Sequence, residues 1–133
     1  MNKSNIAETD RENESFVQLC IYRAPKKNHD AMIKLSKQWA EFFRKYGILR
    51  YEVFHINNTE TAINDVNIAE TVLASKDEEV WVEILYFKDK KHQKEVEVQI
   101  KNDKSCEPLY QQYIELITQG SRTIMGEFTR LNV

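Results

Sequence analysis

Glu83 is a carboxylate inside EEVWVEILYF, residues 78–87, a run that otherwise has the composition of a buried strand. An acid in such a place serves either as a general base or ligand anchor, or as one half of a structural ion pair. Arg50 and Glu52 stand on one side of a second strand pattern, and Arg50 is the natural partner for one of the two carboxylates. An unpaired buried carboxylate is costly and shifts its pKa instead. Gln18, Cys20 and Tyr22 share a face of the first strand pattern with Phe16; they line the same pocket or fill the core. Glu127, on the last strand pattern, joins the cluster or faces solvent. Cys20 has no cationic neighbour in sequence to lower its pKa, which argues against a nucleophile. The histidines are scattered: His29 and His92 near helix starts, His55 near a strand end. No pair has a local metal-binding spacing, so no metal site is expected. His92 reads as a surface or capping group, with haem ligand or acid–base group as the alternative. There is no glycine-rich phosphate loop and no nucleophile elbow, and no cofactor is expected.

Alternating and helical patterns define the elements that hold these groups. FVQLCIY (16–22) alternates, with Val17, Leu19 and Ile21 opposite Phe16, Gln18, Cys20 and Tyr22. Pro25 stops that strand. Met32, Leu35, Trp39, Phe42, Phe43 and Tyr46 then recur at helical spacing, and Gly47 supplies the stop. The aromatic trio in that stripe reads as core. ILRYEVFHIN (48–57) is a second strand. IAETVLAS (68–75) fits a short edge strand or a helical turn. EEVWVEILYF is the third strand, with Val80, Val82, Ile84 and Tyr86 opposite Trp81, Glu83, Leu85 and Phe87. Asp89 is placed to cap a helix through KEVEVQIK, although that stretch also alternates. Pro108 fits the first turn of a further helix that Gly120 ends. RTIMGEFTRLNV closes the chain as a strand.

Strand, helix, strand, strand, helix, strand, with an extra helix before the last strand, is a ferredoxin-like α+β layout: an antiparallel sheet with helices on one face. The smooth aliphatic set on the third strand is expected to face the helices. Trp81, Glu83, Leu85 and Phe87 then occupy the open face, too apolar for water. Two such sheets pairing face to face bury it as a dimeric α+β barrel, with Glu83 between them.

The totals agree. The chain has 133 residues, which fits one domain: a disordered tail over 1–15 and a single domain over 16–133. Hydrophobic residues at 41% and charged residues at 30% mark an ordinary globular composition. A net charge of −2 carries no basic footprint, so neither nucleic acid nor anionic membrane is expected as a partner. No apolar run reaches the ~20 residues of a membrane span and no hydrophobic signal core opens the chain, so a cytoplasmic location is expected. Cys20 and Cys106 are expected as reduced thiols.

Four stretches carry a family likeness. APKKNHDA, through Pro25, Lys26, Asp30 and Ala31, and YGILRY, through Gly47, Leu49 and Tyr51, are the first two. ASKDEEV with KKHQKEV, through Asp77, Glu78, Val80, His92 and Val96, and SRTIMGEF, through Arg122, Ile124, Gly126 and Phe128, are the others. In this order they resemble the YbaA-like family of uncharacterised bacterial proteins, over roughly residues 16–130. Two features depart from that family: CEPLYQQYIEL replaces its Met-Pro-Phe-Asp stretch, and Val53 stands where it tends to carry a carboxylate. The resemblance implies the dimeric α+β-barrel superfamily and a homodimer, without an established reaction. That superfamily includes cofactor-free quinol-type monooxygenases, haem-degrading enzymes, isomerases and plain ligand binders. Two functions are therefore carried forward. One is a homodimeric small-molecule-binding protein, its pocket between sheet and helices or between paired sheets. The other is a monooxygenase- or isomerase-type enzyme acting on a small apolar oxygenated substrate.

Overall fold

A computed structural model describes residues 13–133. Strand β1 spans Phe16–Pro25 and a single 3-10 turn leads into helix α1, His29–Lys45. Strand β2 is Arg50–His55, α2 is Ile68–Thr71, β3 is Glu78–Phe87 and α3 is Lys90–Lys101. Helix α4, Cys106–Leu116, precedes the last strand, β4, Ile124–Thr129. The four strands form one antiparallel sheet in the order β2-β3-β1-β4. This is the expected ferredoxin-like arrangement. Among the described residues no helix is long and apolar enough to cross a membrane.

Local chemistry sets the boundaries. Gly47 takes a φ of 81° after α1, its N–H donates to Arg44 O and the next N–H, of Ile48, donates to Phe43 O, both at 3.2 Å. This pair of bonds satisfies two orphan carbonyls at the helix end, and the left-handed residue between them favours glycine. The Asp89 side chain accepts from the His92 N–H at 2.7 Å and opens α3. KEVEVQIK is helical: Gln93 and Val96, buried on the face turned to the sheet, override its two-residue alternation. At 68–75 the helical turn forms, capped by Asn67 and ended where Leu73 takes a φ of 60°. Helix α4 stops before Gly120, because Ile117 turns out of the helix and into the core.

Register assigns the faces, and here the structure reverses the expectation. Gln18, Cys20 and Tyr22 pair with Leu85, Glu83 and Trp81, while Tyr51 and Val53 pair with Leu85 and Glu83. This is the face under the helices. Tyr22, Ala24 and Trp81 pack with Met32 of α1 and Ile117, and Leu85 and Phe87 pack with Val96 of α3 and Phe43 of α1. The open face carries Val17, Leu19 and Ile21 against Tyr86, Ile84 and Val82, with Phe54, Ile124 and Phe128 at its borders. The aromatic set faces inward because its large rings fill the gap between the sheet and the α1 stripe. Ile84 and its neighbours leave a smooth surface with no helix above it.

At one end of the open face, α2 and the loop after it close over Val80, and Arg23 donates to Leu73 O. Of the tail expected over 1–15, residues 1–12 lie outside the described residues. Glu14 and Ser15 are tied to the sheet: Arg50 Nη2 donates to Glu14 Oε2 at 2.7 Å, and the Arg130 N–H donates to Ser15 O at 2.7 Å.

Candidate functional site

The covered face brings a carboxylate together with two phenols. β3 turns Glu83 toward the helices, between Cys20 on β1 and Val53 on β2. Tyr22 and Tyr51 both donate to Glu83 Oε1 at 2.8 Å. Among the described residues Oε2 has no protein donor, and Glu83 has no ion-pair partner. Burial raises the Glu83 pKa, and the two tyrosine hydrogen bonds offset part of that rise. Desolvation, then the Glu83 charge, raises Tyr22 and Tyr51 far above the ordinary phenol value, so both remain donors. Tyr113 of α4 packs edge-on against Tyr22, at 5.1 Å between ring centroids. Burial pushes its pKa up to about 12, against the pull of its hydrogen bond with Thr123.

Beside this cluster a cleft of about 300 Å³ opens between α1 and the edge strand β2. Ile33, Ser36 and Ala40 form one wall, and Tyr51, Val53 and Trp81 the other. Tyr51 thus belongs both to the cleft and to the Glu83 cluster. Trp81 is 3% exposed, and its indole N–H has no partner among the described residues. A larger groove, about 640 Å³, lies by the turn after β1, but Lys26, Lys27, Asp77 and Glu115 line it as exposed charges. The smaller cleft has one exposed lysine, Lys37, and otherwise mostly apolar walls with a few polar groups, which makes it the better candidate.

At the same end of the covered face, His29 Nδ1 lies 2.8 Å from Glu79 Oε1 and His55 Nδ1 lies 3.5 Å from Glu79 Oε2. The two imidazoles meet edge to face at 5.0 Å, and both rest against Trp81.

The residues singled out in the sequence divide into four places. Gln18, Cys20, Tyr22, Trp81 and Glu83 meet under the helices. Gln18 accepts from the buried Gln93 of α3 at 3.0 Å. Burial, then the Glu83 charge, pushes the Cys20 thiol up to about 11, which suits an inert core thiol. Arg50 and Glu52 lie on the opposite face, so the expected pairing of Arg50 with Glu83 does not occur. Arg50 instead binds Glu14 and sits 4.2 Å from the centroid of Tyr86, with Glu52 at 3.9 Å. Glu127 is an exposed partner of Lys90. His92 accepts from the Lys88 N–H at 3.0 Å and packs on Phe87, closing the start of α3 away from the cleft. Sequence reasoning missed Tyr51 as a partner of Glu83. The signal was present: Tyr51 shares alternation parity with Val53, and the sheet order carries that parity to Glu83.

No curated protein matches the sequence. Among solved structures, the chain is similar to protein Atu4242 from Agrobacterium tumefaciens, with 13% identity, 88% of this chain and 94% of that one covered, and a TM-score of 0.56. It is also similar to SnoaB, a cofactor-independent oxygenase from Streptomyces nogalater, with 13% identity, 90% and 96% covered, and a TM-score of 0.55. A NIPSNAP family protein from Agrobacterium tumefaciens, Atu5224, gives 11% identity, 90% and 89% covered, and a TM-score of 0.55. At these identities the likeness is one of fold, and fold alone assigns no chemistry. A family model described as protein of unknown function (DUF1428) matches residues 15–115. That span runs from the start of β1 through α4 and holds every residue of the Glu83 cluster and the cleft, and the chain therefore belongs to the DUF1428 family.

Proposed function

We propose that this protein is a homodimeric, cytoplasmic small-molecule-binding protein of the YbaA-like kind, whose ligand enters the cleft between α1 and β2. The observation that carries this reading is Glu83 Oε2, a carboxylate oxygen with no protein donor, beside an apolar cleft that shares Tyr51 with it. A carboxylate oxygen that no protein donor occupies can accept a ligand hydroxyl, and a few such polar groups beside apolar walls orient a small molecule. The ligand is small and largely apolar, with a hydroxyl for Glu83. The aliphatic open face supports the homodimer, since a contiguous apolar sheet surface of this kind marks an association site.

An enzymatic reading rests on the same carboxylate, whose Oε2 has no protein donor among the described residues and whose pKa burial raises. It is poised to take a proton from a phenol or quinol bound in the cleft, and the resulting anion is the electron-rich species that reacts with dioxygen. The SnoaB likeness supports this reading at the level of fold.

The test is a thermal-unfolding screen against quinols, flavins and haem, repeated with Glu83→Gln and Tyr51→Phe. A quinol is expected to raise the midpoint of the wild type and to lose most of that effect in both variants. Stabilisation that persists in both variants would overturn the Glu83 reading. Oxygen uptake with the stabilising compound, abolished in Glu83→Gln, would select the enzyme over the binder.

A further inference from the structure

We propose that His29, His55 and Glu79 form a binding site for a divalent transition-metal ion of the zinc class, bordering the cleft mouth and with a coordination position left open. The inference stands on side chains other than those that carry the proposed function and does not depend on it. The three donors come from the start of α1, the end of β2 and the start of β3. Among the described residues they form the one group of three such side chains whose ligand atoms all lie within 4.8 Å of one another.

Two imidazoles and a carboxylate are the donor set that borderline cations prefer over calcium or magnesium. Bonds of about 2.0–2.2 Å in a tetrahedral site put neighbouring donor atoms about 3.3–3.5 Å apart. The two imidazoles meet different oxygens of Glu79, His29 Nδ1 at Oε1 and His55 Nδ1 at Oε2, and His55 Nδ1 also lies 3.1 Å from the Ile56 carbonyl oxygen. One donor atom from each of the three residues lies within 4.8 Å of the other two, so closing on a cation takes side-chain shifts of about an ångström.

The surroundings fix the ligands without closing the site. Glu79 is held in register against Ala24, and its side chain is mostly covered. Trp81 packs at a tilt against both imidazoles, with ring centroids at 5.6 and 5.8 Å. The side chains of His29 and His55 are 32% and 49% exposed, which leaves a route for a cation from solvent. Three protein ligands leave a fourth position free. His55 and Trp81 also line the cleft, so the site borders the cleft mouth.

The experiment uses the full-length, tag-free protein, freed of metal with a chelator and titrated with Co²⁺ and with Zn²⁺. One equivalent of Co²⁺ is expected to produce visible ligand-field absorption that Zn²⁺ displaces. The His29→Ala/His55→Ala double variant is expected to weaken binding by more than the roughly 10–100-fold typical of a second-shell change. Imidazole NMR signals of the unaltered protein provide a reading that does not depend on a variant folding. The His29 and His55 signals are expected to move with the first equivalent of Zn²⁺ and the His92 signal to stay. Unchanged affinity in the folded double variant, or first-equivalent shifts that miss His29 and His55, would overturn the site.

Discussion

The two faces of the sheet solve the burial problem in opposite ways. The covered face holds most of the polar chemistry: Glu83 with two tyrosine hydroxyls, Glu79 with two imidazoles, and Gln18 with Gln93. These groups are matched by one another, and aromatic rings fill the space between them. The open face is nearly free of polar groups at its centre, where Leu19 pairs with Ile84 and Ile21 with Val82. Its charges stay at the rim, as in the stack of Arg50 on Tyr86 beside Glu14. Polar residues therefore mark an interior completed within one chain, and the smooth aliphatic surface is where the proposed homodimer would form its contact.

The largest test of this contrast acts on the open face. Ile84→Lys puts a charge at the centre of the proposed dimer contact, where an unpaired buried charge costs about 3–5 kcal/mol. Sedimentation analysis is expected to show the wild type as a dimer and the variant as a folded monomer. A wild type that is monomeric at working concentration would remove the need for a second chain.

On the covered face the expected change is smaller. Tyr22→Phe removes one of two hydrogen bonds to a carboxylate and is expected to lower unfolding stability by about 1.5–3 kcal/mol without changing the oligomeric state. Urea unfolding read beside sedimentation separates the two faces. A variant that dissociates as readily as Ile84→Lys would mean the faces are not independent.

The smallest effect is a change of slope. The Glu83 pKa is raised in the folded chain, so the folded state holds that proton more tightly than the unfolded state. Its contribution to stability is fully present below the ordinary value of 4.5 and is lost as pH rises through the folded value. Glu83→Gln has no proton to lose. Its unfolding midpoint is expected to fall less than that of the wild type as pH rises from the ordinary carboxylate range toward neutrality. Parallel profiles for the two proteins would assign the pH dependence to other groups.

Element order was legible in the sequence because it rests on periodicity and on stop signals such as Gly47 and Asp89. The alternation of β3 also separated two sets of residues correctly. It did not say which set the helices cover, because parity defines two faces and leaves their sides open. Placing the more aliphatic set inward failed because the aromatic stripe of α1 needs large rings opposite it, and Trp81 and Phe87 provide them. Arg50 followed its parity to the rim, away from Glu83. The cluster of His29, His55 and Glu79 was invisible for another reason: three elements contribute one residue each, and no local spacing links them.

Trp81 has one further consequence. Its indole ring touches both histidines, forms part of the cleft wall and keeps an N–H that has no partner among the described residues. The other indole, Trp39, is stacked on Phe43 of its own helix. The protein therefore carries a built-in optical gauge. Whatever enters the cleft or settles between the imidazoles is expected to alter the emission of Trp81 over the background of Trp39, before any dye or label is attached.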